Sequence, residues 1–309
     1  MRKQSSIKFN ARDYLHPRHW IMWSAFGLLR LVSLLPYKPL MTVGKTLGNA
    51  IRLIAASRRK IADINLEHCF PNKTRAERNR IRYRCFQNIG ISLVEMSMCW
   101  WWSDERLRPL VEIQGREHLD AVFASGRGAI LLAGHFTSLE ISGRMIALHM
   151  PFNAMYRTQS NSMFDSYLYT RRSQYIENMV SRKNTRQLLR GIRNKIPTWY
   201  APDQDFRLEK NVFAPFMGVQ TATITASSRI AQATGCAMLP IYPERKQDGS
   251  GYILRIDTPL VNFPSGDDLK DATAINRSIE HYARLHPENY MWIHRRFKTR
   301  PEGEPPFYS

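Results

Sequence analysis

The sequence predicts an α/β protein with a mostly parallel central sheet flanked by helices, and three observations carry that prediction. From residue 111 onward, short apolar runs alternate with longer segments of helical period, the pattern of strands joined by crossover helices. The 309 residues are 43% hydrophobic, enough to bury one large core or two modest ones. Chemically capable residues also follow two positions after apolar runs, His135 after "AILLA" and Asp203 after "TWYA". That is where sites lie in open parallel sheets, beyond the carboxyl ends of strands.

The first element is an apolar segment at 20–35, "WIMWSAFGLLRLVSLL", broken by Ser24, Gly27 and Arg30 and stopped by Pro36 and Lys38. As a helix it is about 24 Å long, against about 30 Å for a hydrocarbon core. It predicts a membrane-associated helix, either a tilted short span or a helix lying in the interface, with a buried core helix as the alternative. Trp20 and Trp23 suit headgroup level, and Arg30 can snorkel. Arg2, Lys3, Lys8, Arg12 and Arg18 precede the segment and Lys38 and Lys45 follow it, so positive charge assigns no orientation. No small-residue cleavage site follows the run, which argues against a secretory signal. Residues 1–40 therefore form a basic arm and membrane-associated helix, and 41–309 the main domain.

Residues 40–70 place apolar side chains at spacings of three and four and read as a helix. A second helix follows from a capping box of Thr74 with Glu77. It turns from basic to apolar and ends in Trp100, Trp101 and Trp102, read as core packing, with an acyl-chain site as the alternative. Strands are expected at 111–114, 129–133, 198–201, 237–242, 252–257 and 290–294. Helices are expected at 138–149, 161–175, 184–195, 222–234 (with Gly235 as C-cap) and 267–286.

With 45 Lys and Arg against 26 Asp and Glu, the net charge is +19. Such a field favours anionic partners: nucleic acid, anionic lipid or an acidic protein. No helix-turn-helix or RNP signature supports nucleic acid. Cys69, Cys85, Cys99 and Cys236 form no C-x-x-C pair and no zinc spacing, so reduced, mostly buried thiols are expected and no metal site.

The stretch "AGHFTSLEISGR" pairs His135 with Glu140, five positions on. On a continuous helix the two would diverge by about 140°. The spacing works if His135 sits in the strand-to-helix turn, allowed by Gly134, and Glu140 in the first turns of the helix. Glu140 can then accept from His135 Nδ1–H and leave Nε2 as a base; the alternative is that Glu140 only stabilises the helix start. No G-x-S-x-G elbow is present, which disfavours a serine acyl-enzyme. The substrate is then expected to supply the nucleophile, a hydroxyl attacking an activated acyl group. Backbone N–H groups at Phe136 to Ser138 are candidates to hold an oxyanion or phosphate. "MYRTQSNSMFDSYLYTRR" brings Arg157, Arg171 and Arg172, whose forks suit phosphate and carboxylate. "WYAPDQDF" brings Asp203 and Asp205, read as orienting arginines, binding hydroxyls or capping a turn.

Together these segments resemble the late acyltransferases of lipid A biosynthesis, and the lauroyl-type members most closely. The resemblance rests on "HFTSLE", the arginine-bearing block, "WYAPDQDF" followed by "VFAPFMG", and "YMWIHRRFKTRPEG". "LHPRHW" at 15–20 and "NLEHCFP" at 65–71 extend it over nearly the whole chain.

The resemblance implies a fold similar to glycerol-phosphate acyltransferases, with an N-terminal membrane helix, and makes 41–309 the acyltransferase catalytic domain. It implies transfer of a lauroyl-like chain from acyl carrier protein to a hydroxyl on a hydroxyacyl chain of (Kdo)2-lipid IVA or its acylated product, at the cytoplasmic face of the inner membrane. No cofactor is implied. By position, His135 matches the catalytic base, Glu140 its charge-relay partner and Arg172 a substrate or transition-state contact. Asp203 and Asp205 match the acidic block, and Arg157 lies in the arginine block. The alternative is acylation of a glycerolipid such as lysophosphatidate by the same chemistry. Arg30 departs from the more uniformly apolar N-terminal segment of the family.

Overall fold

The computed structural model describes residues 8–181, 184–205 and 211–308. The first third is helical: α1 Trp20–Val32, α2 Tyr37–Ile54, α3 Ala56–Cys69, α4 Arg75–Trp101 and α5 Asp104–Leu107. The capping box opens α4 as expected, with Glu77 N donating to Thr74 Oγ1 at 3.3 Å and Thr74 N to Glu77 Oε2 at 2.7 Å. The helix expected over 40–70 is two, broken at Ala55 (φ −90°, ψ 61°). Neither Gly nor Pro marks the break. The Arg59 guanidinium, folded back onto the carbonyls of Arg52 and Leu53, satisfies helix-end acceptors that the break exposes.

The N-terminal segment divides into two faces. Phe26 is buried and stacks on Tyr167 with ring centroids 4.3 Å apart. Trp20, Ile21, Leu28 and Leu31 stay exposed. The guanidinium of the exposed Arg30 lies over the Trp101 ring, 5.8 Å from the centroid. No helix among the described residues is long and apolar enough to cross a membrane, so the tilted span expected over 20–35 is not found among them. Trp100 and Trp102 are core residues.

From Val111 the predicted alternation holds: β1 Val111–Gln114, α6 Arg116–Ala124, β2 Ala129–Leu132, α7 Leu139–Ala147, β3 Asn153–Tyr156, α8 Ser162–Arg172, β4 Asn178–Ser181, α9 Thr185–Arg193 and β5 Thr198–Tyr200. Then come β6 Asn211–Phe216, β7 Val219–Ile224, α10 Ala226–Thr234, β8 Ala237–Arg245, β9 Tyr252–Ile256 and α11 Asp268–Leu285. Seven strands form one sheet in the order β1-β9-β8-β2-β5-β3-β4. The last five in that order are mutually parallel; β9 runs antiparallel to β8, and β1 follows β9.

Helices cover both faces of the sheet. Along β2, Ala129 and Leu131 pack with Val94 and Met98 of α4 and Ile141 and Met145 of α7. Ile130 and Leu132 pack with Leu188 and Ile192 of α9 and Ile275 and Ile279 of α11. A strand buried on both sides needs no polar alternation, which is why "AILLA" is uninterrupted. All four cysteines are free and buried.

Two further expectations change. The helix expected from 222 starts at Ala226, because Thr221, Thr223 and Ile224 belong to β7, paired with β6 outside the main sheet. Their β-branched side chains favour the extended form. The hairpin turns at Met217 and Gly218, both left-handed (φ 54° and 83°), as a tight type I′ turn requires. The strand expected at 290–294 reduces to one bridge, Tyr290 to Phe136. Beyond it the chain turns sharply, and Asn65 Nδ2 holds the carbonyls of Trp292 (2.6 Å) and His294 (2.9 Å). A side chain from α3 here replaces a neighbouring strand.

Candidate active site

Three neighbouring parallel strands, β8, β2 and β5, bring their carboxyl ends to one edge, with Leu132 in register with both Tyr200 and Pro240. The loop after β2 carries His135, the loop after β5 carries Asp203, and β8 ends at Arg245. Gly134 is required for space: a Cβ there would lie 2.7 Å from Ile279 Cγ2 and 2.9 Å from the Phe136 ring.

Asp203 grips His135 twice. Its Oδ1 lies 2.5 Å from His135 Nδ1, and its Oδ2 accepts from His135 N at 2.8 Å. Tyr290 OH donates to the same Oδ2 at 3.0 Å. The Asp203 side chain is fully buried, while the imidazole keeps 20% of its surface. Burial works against the carboxylate's charge, yet the adjacent His135 and its hydrogen bonds prevail and hold Asp203 down to about 2. A carboxylate at Nδ1 fixes the proton there and leaves Nε2 as the ring's acceptor.

The hydrogen bond expected between His135 and Glu140 is replaced by this one. Glu140 does sit in the first turn of α7, but its carboxylate meets Arg172 of α8. Arg172 Nε donates to Oε1 at 3.2 Å, Arg172 Nη2 donates to Oε2, and Tyr175 OH donates to Oε1 at 3.3 Å. Burial pulls the Arg172 pKa down, but the Glu140 charge overcomes it and the net shift is upward. The sequence reading expects Glu140 beside His135; the structure puts Asp203 there and pairs Glu140 with Arg172. On a helix start, Glu140 is free to turn toward the neighbouring helix, whereas Asp203 is delivered to His135 by the next strand.

A cavity of about 850 Å³ opens beside His135. Leu188 and Leu189 of α9, Ile224, and Ile230 of α10 supply apolar lining, and the exposed Arg157 and Arg229 add charge. His294, which the sequence reading left unassigned, lines the same cavity. Its sequence signal is a histidine in a long string rich in basic residues. Glu140 and Arg172 instead line a separate cavity of about 40 Å³, and Trp199 and Met155 line both. Asp205 faces away toward the C-terminal string, accepting from Thr299 N (2.6 Å) and Thr299 Oγ1 (3.0 Å).

The backbone amides expected to hold an oxyanion are largely committed. Phe136 N donates to Gly134 O (2.8 Å) and Thr137 N to Asn289 O (2.7 Å). Thr137 is also locked from its side chain: Arg245 Nη1 donates to Thr137 Oγ1 at 2.9 Å, while the same guanidinium forks onto the buried Glu95 at 2.7 and 2.8 Å. Neither Glu95 nor Arg245 stands out in the sequence, because their contact spans α4 and β8.

A histidine–aspartate pair at the carboxyl edge of a parallel sheet, opening on a partly apolar cavity with exposed arginines, is the arrangement of an α/β enzyme suited to proton transfer. The comparison of sequences gives that class a family. The profile of the bacterial lipid A biosynthesis acyltransferases matches residues 7–299, and the chain belongs to that family of acyl-transferring enzymes. It is 36% identical to the lipid A biosynthesis lauroyltransferase of Escherichia coli (strain K12) over 295 residues, covering 95% of this chain and 96% of the relative. It is also 36% identical to the palmitoleoyltransferase of the same organism over 299 residues, covering 96% and 97%. A lipid A biosynthesis acyltransferase of Haemophilus influenzae is 34% identical, covering 95% of each chain.

Proposed function

We propose that the protein moves a lauroyl-like fatty acyl chain from an acyl carrier protein thioester to a hydroxyl of a hydroxyacyl chain on (Kdo)2-lipid IVA or its acylated product. The observation that carries this reading is the His135–Asp203 pair at the wall of an 850 Å³ cavity with apolar lining. His135 Nε2 takes the proton of the acceptor hydroxyl while Asp203 steadies the imidazolium. The oxygen attacks the thioester carbon, the C–S bond breaks, and the thiolate takes the proton back from His135. Glu140 and Arg172 tie α7 to α8 behind Trp199 and act by positioning. The net charge of +19 favours both an acidic carrier protein and a phosphorylated, carboxylate-bearing acceptor.

The reaction site is at the cytoplasmic face of the inner membrane, with α1 as an interfacial helix. Among the described residues, ten of the fourteen exposed large apolar side chains lie between Leu15 and Ile54, which concentrates greasy surface at one end of the chain.

The test is mass spectrometry of the lipid product from carrier protein loaded with several chain lengths, against lipid A precursor and lysophosphatidate separately. Acylation of the lipid A precursor, with His135→Ala slower by about 10²-fold or more, supports the reading. Transfer to lysophosphatidate alone, or full activity of His135→Ala, overturns it.

A further inference from the structure

The reaction proposed above develops negative charge on the thioester oxygen, and most of the donors anticipated for it are engaged elsewhere. The amides of Phe136 and Thr137 serve backbone carbonyls. Arg172 is paired with Glu140 and lines the smaller cavity. His294 is the imidazole that shares the large cavity with His135.

We infer that His294 is a catalytic hydrogen-bond donor, its ring N–H meeting the thioester carbonyl oxygen as that oxygen becomes an oxyanion. The inference rests on the acyl-transfer reading and deepens it. Geometry supplies the first support. His294 N donates to Met291 O (3.1 Å), Asn65 Nδ2 donates to His294 O (2.9 Å), and Met291 N donates to His135 O (3.1 Å). The backbones that carry the two rings are therefore stitched together, the preorganisation an oxyanion donor needs.

The ring's charge state supplies the second support. Burial lowers the His294 pKa, as do the nearby His135, Arg296 and Arg58, with Asp203 opposing. A neutral imidazole keeps one N–H to donate, the form in which a histidine serves as an electrophile. His135, backed by Asp203, is left as the base. The electron count closes. The acceptor O–H proton passes to His135 Nε2, and the oxygen's pair forms the new C–O bond. The carbonyl π pair moves to the oxygen facing His294. On collapse that pair returns, the C–S pair leaves with sulfur, and His135 returns the proton to it.

The experiment compares wild type with His294→Phe, which keeps a ring without the donor, and His294→Gln, which restores an N–H. We expect His294→Phe to lower kcat by about 10²–10³-fold with KM for the donor little changed, and His294→Gln to recover at least about tenfold of that loss. A second measurement needs no turnover: the infrared carbonyl stretch of a 13C-carbonyl acyl carrier protein thioester bound to His135→Ala. The band should shift below that of the free thioester, and the shift should vanish in His135→Ala/His294→Phe. An active wild type with kcat preserved in His294→Phe, equal losses in the Phe and Gln variants, or a band indifferent to residue 294 overturns the inference. None of these touches the function reading. A wild type that moves no acyl chain to the lipid A precursor defeats that reading itself.

Discussion

Asp203 and Glu140 are both carboxylates within reach of the motif loop, and their surroundings give them different tasks. Asp203 holds His135 by ring and backbone, so Asp203→Asn should reduce kcat by about 10²-fold or more by disturbing the tautomer and charge of the base. Glu140→Gln should act mainly on stability, because it leaves the Arg172 guanidinium without its counter-charge, a loss of several kcal/mol where such pairs are buried. Parallel kinetics and melting curves on the two variants check the division; a larger kcat loss in Glu140→Gln with unchanged melting would return the dyad to Glu140. Asp203 also predicts a pH signature. Its pKa falls from 3.8 in the free side chain to about 2 in the fold, so it stabilises the folded state above that free value and loses the contribution as pH drops through about 2. The stability gap between wild type and Asp203→Asn should therefore narrow between about pH 4 and pH 2 in denaturant titrations.

At the scale of elements, the crossing of α2 and α4 is a tight joint. A Cβ at Gly48 would lie 2.2 Å from Phe86 O, and one at Gly90 2.1 Å from Gly44 O. The two backbones approach where side chains would otherwise stand. Gly90→Ala should therefore destabilise by about 1–3 kcal/mol as the helices separate, visible as a lowered Tm. A Tm equal to wild type would show that the joint yields without loss. The joint matters to the site because α4 carries Glu95, and Glu95 holds Arg245 against Thr137.

At the scale of the whole molecule, the exposed apolar side chains of α1 are flanked in the sequence by basic residues, among them Arg12, Arg18, Lys38 and Lys45. Hydrophobic insertion and attraction to anionic headgroups then act together. The triple variant Ile21→Ser, Leu28→Ser, Leu31→Ser should lower partitioning onto anionic vesicles by at least about tenfold, since each apolar side chain contributes on the order of 1.5–3 kcal/mol when fully buried. Its Tm should hold, because those positions are already in solvent. Vesicle co-sedimentation with a parallel melt is the check. Undiminished binding would remove α1 as the docking face.

The amino-acid sequence by itself determined many of the local elements and the place of the candidate site. The strands at β1, β2, β5, β8 and β9 and the start of α4 are written in short-range patterns: apolar runs, helical period and a capping box, each complete within a few residues. The position of His135 was legible for the same reason, since it follows directly on β2. The short β3 and β4 and the hairpin of β6 and β7 were not legible, because their pairing partners, not their own pattern, define them. Tertiary structure alone decided who meets whom. Glu140 is five residues from His135 in the chain, yet a helix start aims it at Arg172. Asp203 is 68 residues away and arrives at the ring because β5 lies beside β2. The partner of His135 is a matter of strand order, and strand order is set by the packing of the whole sheet between its helices.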